Sequence, residues 1–362
     1  MKPTIPLFLG VFAVMALSNS IVPVLPAFSR DPAFQGTVYA AYFLGALVTT
    51  LPAGILSDRY GPLTFVRAGL FVTFASGLLM SLTTDPFILI AARLLEGTGA
   101  GIFVASALSC VNAMPGHRQE SGIYMALLNA GLVTGLFLAG WLDTLTADPA
   151  AGIILFTLLS AVSAGVSLGA SETGSGQVVR TPHSLLPLVR DKCGIWYSSV
   201  ILIGITGVAI SLYPEYSMLS PAMVGFWTAA MSISTIAALI LMAKAAWPPV
   251  PVIRTSAVLM GAGVLLTVLS PLGFLVLGWV AGMVIAAQLA ALAGGHDQGA
   301  VMGLFSTSGY LGMTVLPFIA GLTARVAGYS SAFLLTAVLA LSVVFFTQDS
   351  SCRKDAGFTS RP

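Results

Sequence analysis

An arginine and a glutamate stand three residues apart in an apolar run that carries no other charge. Arg93 and Glu96 both lie within residues 87–112. Residues at this spacing share one face of a helix, so the carboxylate can neutralise the guanidinium directly. The pair can be a structural ion pair whose charges only offset each other. It can also be switchable, with protonation of Glu96 freeing Arg93 to bind an anion or a polar substrate group. The two residues alone leave both possibilities open.

The composition around this pair predicts an all-α integral membrane protein. Of the 362 residues, 57% are hydrophobic and 8% are charged, whereas soluble domains carry about 25% charged residues. The formal net charge of +2, with no basic run interleaved with aromatic residues, excludes a nucleic-acid partner. The three cysteines, Cys110, Cys193 and Cys352, lack metal-ligand spacing, and no metal or cofactor is expected. The lipid bilayer is therefore the expected surrounding.

Charge-poor runs of membrane-spanning length predict twelve transmembrane helices, because about 20 apolar residues cross a bilayer. A run without charge from 255 to 295 is too long for one span, and the breaker cluster Ser270-Pro271-Leu272-Gly273 predicts that the chain turns back there. The predicted spans are 5–27, 33–56, 68–84, 87–112, 121–142, 150–170, 194–213, 218–243, 253–269, 272–293, 299–324 and 329–347.

Basic residues in the loops predict the orientation of these helices. With the N-terminus inside the cell, twelve lysines and arginines fall on the cytoplasmic side, and only Arg30 and Arg325 fall outside. Both termini are therefore expected in the cytoplasm of a multi-pass protein of the cell membrane. The predicted divisions are a six-helix half at 1–170, a cytoplasmic linker at 171–193, a second six-helix half at 194–347 and a cytoplasmic tail at 348–362.

Short sequence matches indicate that the two halves are repeats. The sequence GHRQ at 116–119 opens the fifth predicted helix, and GHDQ at 295–298 opens the eleventh. Further along, FLAG at 137–140 matches FIAG at 318–321. These matches fall at equivalent points of the hydropathy pattern, as expected of parallel repeats in a transporter.

The stretch GILSDRYGP at 54–62, in the loop between the second and third helices, resembles motif A of the major facilitator superfamily. Pro62 and Leu63 stand where that family has two basic residues. The resemblance implies that the aspartate meets the N-terminus of the eleventh helix, whose dipole favours a negative charge. A conformational latch between the halves is therefore expected at Gly54, Asp58, Arg59 and Gly61.

Two further stretches resemble motifs of the same family. RLLEGTGAG at 93–101 is similar to motif B, with Glu96 where the family has glutamine. The fifth helix resembles a degenerate motif C, the motif associated with antiporters, with Leu136 in place of its proline. The alternative for these glycines is close helix packing alone. The motif C-like glycines are Gly131, Gly135 and Gly140.

The resemblance covers essentially the whole chain and implies the fold of the major facilitator superfamily, two six-helix bundles related by a pseudo-twofold axis. The implied function is alternating-access transport of a small-molecule substrate, with proton-coupled export of small amphipathic compounds favoured. Alternatives are proton-coupled transport of a small organic anion, with Arg93 as its counter-charge, and a facilitative uniporter. A monomer is expected to be sufficient. The first, fourth, seventh and tenth helices face the pathway in this family, and their polar residues are Asn19, Arg93, Glu96, Thr206 and Gln288.

Other classes of function are not favoured. All three histidines fall in predicted cytoplasmic loops, and the enzyme motifs H-E-x-x-H and G-x-S-x-G are absent, so no catalytic residues are expected. The chain lacks the phosphate-binding G-x-x-x-x-G-K-[ST] of a primary pump. A channel agrees with the composition, but two similar halves and a motif A-like loop favour alternating access.

Overall fold

In the computed structural model, the structure describes residues 4–112, 114, 117–170, 190, 192–242, 247–292 and 298–347, apart from the side chains of residues 4, 58, 112, 117, 118 and 298–300. The predicted linker lies outside the described residues except for 190, 192 and 193, and the predicted tail lies outside them entirely. The helices of membrane-spanning length are α1 (Thr4–Ser20), α2 (Pro32–Tyr60), α3 (Pro62–Leu82), α4 (Pro86–Asn112), α5 (His117–Thr146), α6 (Ala151–Leu168), α7 (Cys193–Ser217), α8 (Pro221–Met242), α9 (Pro249–Leu269), α10 (Gly273–Leu292), α11 (Gln298–Ala327) and α12 (Tyr329–Phe346).

The prediction of an all-helical membrane protein with twelve spans is confirmed, and the described residues contain no strand. The turn predicted at Ser270 separates α9 from α10. Several helices begin earlier than the apolar runs predict, α3 at Pro62 rather than 68 and α9 at Pro249 rather than 253. Proline fits the first turn of a helix, where its missing N–H costs nothing, so the helices extend past the apolar segments.

The first span is not one continuous helix. After α1 ends at Ser20, a 3-10 turn at Val22–Val24 and a single helical turn at Leu25–Phe28 complete the crossing. Pro23 and Pro26 lie in these short segments. Proline within a helix removes a backbone hydrogen bond and clashes with the preceding turn, which explains the break that the apolar pattern alone does not reveal.

The helices form two six-helix bundles, α1–α6 and α7–α12, with the same internal packing. In the first bundle α2 packs along α4, α3 along α4 and α1 along α5; in the second α8 packs along α10, α9 along α10 and α7 along α11. The bundles meet at two seams, α2 against α11 and α5 against α8. This exchange of equivalent partners indicates a pseudo-twofold axis between the halves. We call the face where α1 begins and α12 ends the terminal face, and the opposite one the distal face.

An arginine on the third helix of each half binds the carboxyl end of the sixth. The Arg67 guanidinium donates to the backbone oxygens of Ser167 at 3.0 Å and Ala170 at 2.6 Å, at the end of α6. Arg254 of α9 donates through its Nε to the Thr347 oxygen at 2.7 Å, at the end of α12. A cation at the end of a helix satisfies free carbonyls and interacts favourably with the helix dipole. The two arginines are therefore equivalent caps in the two halves.

Replacing either cap with methionine should destabilise the protein. We expect Arg67→Met and Arg254→Met each to cost about 1 to 2 kcal/mol, because each removes charge-assisted bonds to a helix terminus. Thermal unfolding in detergent measures this cost. Arg59→Met is the matched control, since Arg59 is exposed and its guanidinium lies 5.3 Å over the Tyr60 ring. A melting temperature for the cap variants equal to that of the control would contradict the capping role.

Candidate functional site

A cavity of about 320 Å³ lies between the two halves. Both bundles contribute to its wall, which is mostly apolar with a few polar side chains. A volume in this range and an apolar lining with a small number of polar groups are typical of small-molecule sites. Its aromatic and polar lining residues are Ser18, Asn19, Tyr39, Tyr42, Phe43, Arg93, Asn129, Thr206, Ser232, Thr235 and Tyr310.

On the distal side of this cavity, glycines allow the two halves to pack closely against each other. A side chain at Gly36 of α2 would overlap the Pro317 oxygen of α11, and one at Gly140 of α5 would overlap the Pro221 oxygen of α8. The reciprocal contacts place Gly321 against Pro32 and Gly225 against Leu136. Each seam therefore has the same two crossings, built by equivalent residues. These positions include the FLAG and FIAG repeats, so the repeated glycine is an inter-half contact.

Nearer the terminal face, three glycines of the same helices make no contact with the other half. A Cβ atom at Gly122 of α5 or Gly303 of α11 would meet nothing within 4 Å, and one at Gly54 of α2 would meet only Ala105 of its own half. On the distal side, in contrast, the Asp31 carboxylate at the start of α2 lies 3.7 Å from the Arg325 guanidinium of α11. From these contacts we infer that the halves converge distally and diverge terminally, so that the cavity between them opens toward the terminal face.

Arg93 and Glu96 form a buried ion pair at the wall of this cavity. Their side chains are 1% and 0% exposed, and Arg93 Nη1 bonds Glu96 Oε2. The same nitrogen donates to the Ser18 carbonyl at 3.0 Å, and the guanidinium lies 4.7 Å from the centre of the Tyr42 ring. Among the described residues, Glu96 Oε1 and Arg93 Nε have no hydrogen-bond partner. The carboxylate thus has an unused acceptor, while the arginine contacts three different groups.

The equivalent position of α10 in the second half shows that helix packing at this site does not require charged side chains. Gly97 of α4 lies against the Tyr42 oxygen of α2, and Gly278 of α10 lies against the Met231 oxygen of α8, so the two crossings are equivalent. Arg93 precedes Gly97 by four residues, and Phe274 precedes Gly278 by four. By the same register Leu277 corresponds to Glu96, and both apolar residues are 0% exposed. The repeat fills the equivalent site without charge.

The other three predicted pathway residues lie in different surroundings. Asn19 lines the cavity, and its amide donates to Met15 O and Ser18 Oγ, both at 3.0 Å. Gln288 is fully buried between α10 and α7, where it donates to Ser198 Oγ at 3.0 Å, and it does not line the cavity. Thr206 does line the cavity. A pathway role for these residues stays a prediction.

Sequence reasoning did not find several lining residues. Four are aromatic or amide side chains on α2, α5 and α11: Tyr39, Tyr42, Asn129 and Tyr310. Two hydroxyl residues on α8, Ser232 and Thr235, complete the polar lining. The family resemblance directed attention to the first, fourth, seventh and tenth helices, whereas these six side chains come from the seam helices. The sequence signal that could have identified them is a polar side chain within an otherwise apolar span.

The motif A-like residues form the end of α2 and the turn into α3. Gly61 has φ +95°, a backbone conformation that glycine adopts readily, and its N–H bonds the Ser57 oxygen at 3.0 Å. Arg59 is exposed at this end. Asp58 lies in the last turn of α2, but its side chain is outside the described residues, so its predicted contact with α11 is not described. Gly54 faces α4 in this conformation.

The motif C-like glycines lie at helix crossings. Side chains at Gly131 and Gly135 would overlap the backbone oxygens of Phe12 and Ala16 in α1, and Gly140 meets α8 at the distal crossing. Two of the three therefore pack α5 against its own half, and the third packs it against the other. Within the described part of the chain, no group of three or more His, Cys, Asp or Glu side chains could hold a metal ion.

Comparisons with known proteins agree with this architecture. Residues 7–213 match the family model of the Major Facilitator Superfamily. A point mutant of the nucleoside transporter NupG is similar in structure with a TM-score of 0.78 and 12% identity, over 95% of this chain and 98% of that one. A bacterial homolog of the human lysosomal transporter Spinster, inward-facing and occupied, has a TM-score of 0.75 and 14% identity, over 97% and 95%. At these identities the likeness concerns the fold alone.

Among curated relatives, the methylenomycin A resistance protein of Bacillus subtilis is 28% identical over 48% of this chain and 41% of its own length. The chain spans less than two thirds of the length of the first curated relatives it matches. The family model covers more than half of this chain, and the twelve helices carry the same fold throughout. The chain therefore belongs to the major facilitator superfamily, whose members transport solutes across membranes.

Proposed function

We propose that the protein is a secondary active transporter that exports small amphipathic organic compounds across the cytoplasmic membrane, driven by protons. The observation that carries this proposal is the cavity between the two halves, which has a mostly apolar wall and lies beside the close inter-half contacts of the distal side. Export is supported by the similarity of half the chain to a relative named for antibiotic resistance. A substrate screen in proteoliposomes under an imposed pH gradient tests the proposal as a whole, and saturable transport without coupling would indicate a uniporter.

The proposed orientation places the terminal face in the cytoplasm. The loop charges support it, because basic residues accumulate on the cytoplasmic side of membrane proteins. Among the described residues, the basic side chains near the distal face are those of Arg30 and Arg325, and those near the terminal face are those of Arg59, Arg67, Arg190, Lys192 and Arg254. The conformation with an open terminal side is then inward-facing.

The proposed latch at Asp58 forms in the outward-facing conformation, the opposite of the one described above. In the inward-facing state Gly54 meets only its own half. Closing the terminal face would bring the end of α2 toward the beginning of α11, where the helix dipole favours a carboxylate. The latch is therefore expected to stabilise the outward-facing state and to release when the terminal side opens, as alternating access requires.

The proposed proton site is Glu96, with Arg93 as its partner. Its support is the comparison of the two repeats, because Phe274 and Leu277 fill the equivalent positions of α10 with apolar side chains. The fold therefore does not require an ion pair there, and hydrophobic replacements of buried pairs are often neutral in stability. The same pairing weakens the alternative of an organic anion, because the Arg93 charge already faces a carboxylate, a carbonyl and an aromatic ring.

Topology is tested by cysteine labelling in a cysteine-free background, with Cys110, Cys193 and Cys352 replaced by serine. Trp247→Cys, at the terminal face, should react with a membrane-impermeant maleimide only from the cytoplasmic side. Ser220→Cys, at the distal face, should react only from outside. Reaction of Trp247→Cys in intact cells, without permeabilisation, would reverse the proposed orientation.

The latch is tested by Asp58→Asn, which removes the charge and keeps the side-chain volume. We expect the balance to shift about two- to tenfold toward the inward-facing state, because a charge at a helix terminus contributes about 0.5 to 1.5 kcal/mol. Faster maleimide labelling of Gly303→Cys, on the open terminal part of α11, reports this shift, together with slower transport. Asp148→Asn, an exposed acid on the distal side, is the control. Labelling and transport rates equal to those of the control would contradict the latch.

Coupling is tested by Glu96→Gln. The variant should lose accumulation driven by a pH gradient but retain substrate exchange at equilibrium, because exchange needs no net proton movement. The exchange rate also verifies that the variant is folded. The double variant Arg93→Phe/Glu96→Leu, which copies the second repeat, should remain folded and equally uncoupled. If gradient-driven transport by Glu96→Gln keeps its rate and pH dependence, the carboxylate is only a structural partner of Arg93.

A further inference from the structure

Aromatic side chains form a continuous surface along one side of the cavity. Phe43 is at its centre, with ring centroids 5.1 Å from Tyr39, 5.0 Å from Tyr42 and 6.0 Å from Tyr310. Tyr310 belongs to α11, so the surface crosses from one half to the other. Phe43 and Tyr310 are partly exposed, while Tyr39 and Tyr42 are buried. Aromatic rings stack on planar partners with an energy beyond that of area burial, so this surface favours a planar aromatic ligand.

The polar lining offers more hydrogen-bond acceptors than donors. Apart from the tyrosines and Arg93, each polar lining side chain donates to a backbone oxygen of its own helix. Asn19 uses both amide hydrogens, on Met15 O and Ser18 Oγ. The Tyr39 hydroxyl donates to the Met313 sulfur at 3.8 Å. For a ligand the lining then offers fewer donors, the second amide hydrogen of Asn129 and the Tyr310 hydroxyl, than oxygen lone pairs, which lie on Ser18, Asn19, Asn129, Thr206, Ser232 and Thr235.

The cavity presents no free charge. Arg93 is the one ionisable cation or acid among the described lining residues. It is 1% exposed and paired with Glu96, so its field in the cavity is offset by a carboxylate at contact distance. A charged ligand entering this space would lose its hydration without gaining an unpaired counter-ion. An uncharged ligand meets no such penalty.

Building on the transport function proposed above, we propose that the cavity binds uncharged, planar aromatic compounds that donate hydrogen bonds through N–H or O–H groups. The ring lies on the Phe43 surface and the donors meet the acceptors on α1, α5 and α8. The cavity volume of about 320 Å³ suits a bicyclic ring system with a small polar substituent.

Three probes with one ring system separate these features. 2-Naphthamide is neutral and carries two N–H donors, N,N-dimethyl-2-naphthamide is neutral without donors, and 2-naphthoate is an anion of the same shape. Calorimetric titration of the purified protein in detergent, corrected against protein-free micelles, should show saturable binding of 2-naphthamide. We expect binding at least fivefold weaker for the dimethyl amide and at least tenfold weaker for 2-naphthoate.

Phe43→Leu should weaken 2-naphthamide binding about three- to tenfold, since it keeps the apolar bulk and removes the ring. The matched control is Phe226→Leu, on the outer side of α8, where the ring is 46% exposed and outside the cavity. It should bind like the unmodified protein. Equal binding by Phe43→Leu, preferred binding of 2-naphthoate, or no saturable binding of 2-naphthamide by protein with its native melting temperature would each overturn the proposal. Because the titration needs neither membrane nor gradient, failure of the coupling proposed at Glu96 leaves this result unaffected.

Discussion

Close backbone contact between the halves at the distal face is the constraint on which the rest of the arrangement depends. In a bilayer, lipid tails are as apolar as leucine, so helices associate through packing at small residues rather than through the hydrophobic effect. Gly36 and Gly321 on one seam, and Gly140 and Gly225 on the other, let main chains touch. Larger side chains on the same helices, such as Met231 and Tyr310, line the space below these crossings. The position of the cavity therefore follows from where the glycine contacts between the halves end.

The twofold repetition of these crossings also limits how the halves can move. In each seam two glycines contact backbone oxygens of the other half, which belong to prolines in three cases and to a leucine in the fourth. A movement that separates both seams distally has to break all four contacts. The Asp31–Arg325 pair adds little to this closure, because its side chains are half-exposed and surface ion pairs contribute about 0 to 1 kcal/mol. Backbone packing, rather than charge, is what a distal opening has to break.

The sequence predicted the parts of this structure that depend on local pattern. Charge-free runs determine the twelve spans, and the breaker at Ser270 determines the turn between α9 and α10. The Arg93–Glu96 contact follows from helix geometry alone. The Tyr42 ring beside Arg93 and the Gly140–Pro221 crossing could not be predicted, because both join residues distant in sequence. The FLAG and FIAG match indicated that the glycine recurs, but not that it meets the other half.

Equivalent backbones with different side chains give the two halves different properties. A pseudo-twofold fold needs equivalent helix crossings, and Gly97 and Gly278 supply them in α4 and α10. Packing is satisfied at both, yet only α4 places an ion pair next to its crossing, with Phe274 and Leu277 as the apolar counterparts. A buried pair is costly to desolvate, and the repeat demonstrates an apolar solution within the same chain. The presence of charge at a position that apolar side chains can pack equally well is the physical argument for the role proposed for Arg93 and Glu96.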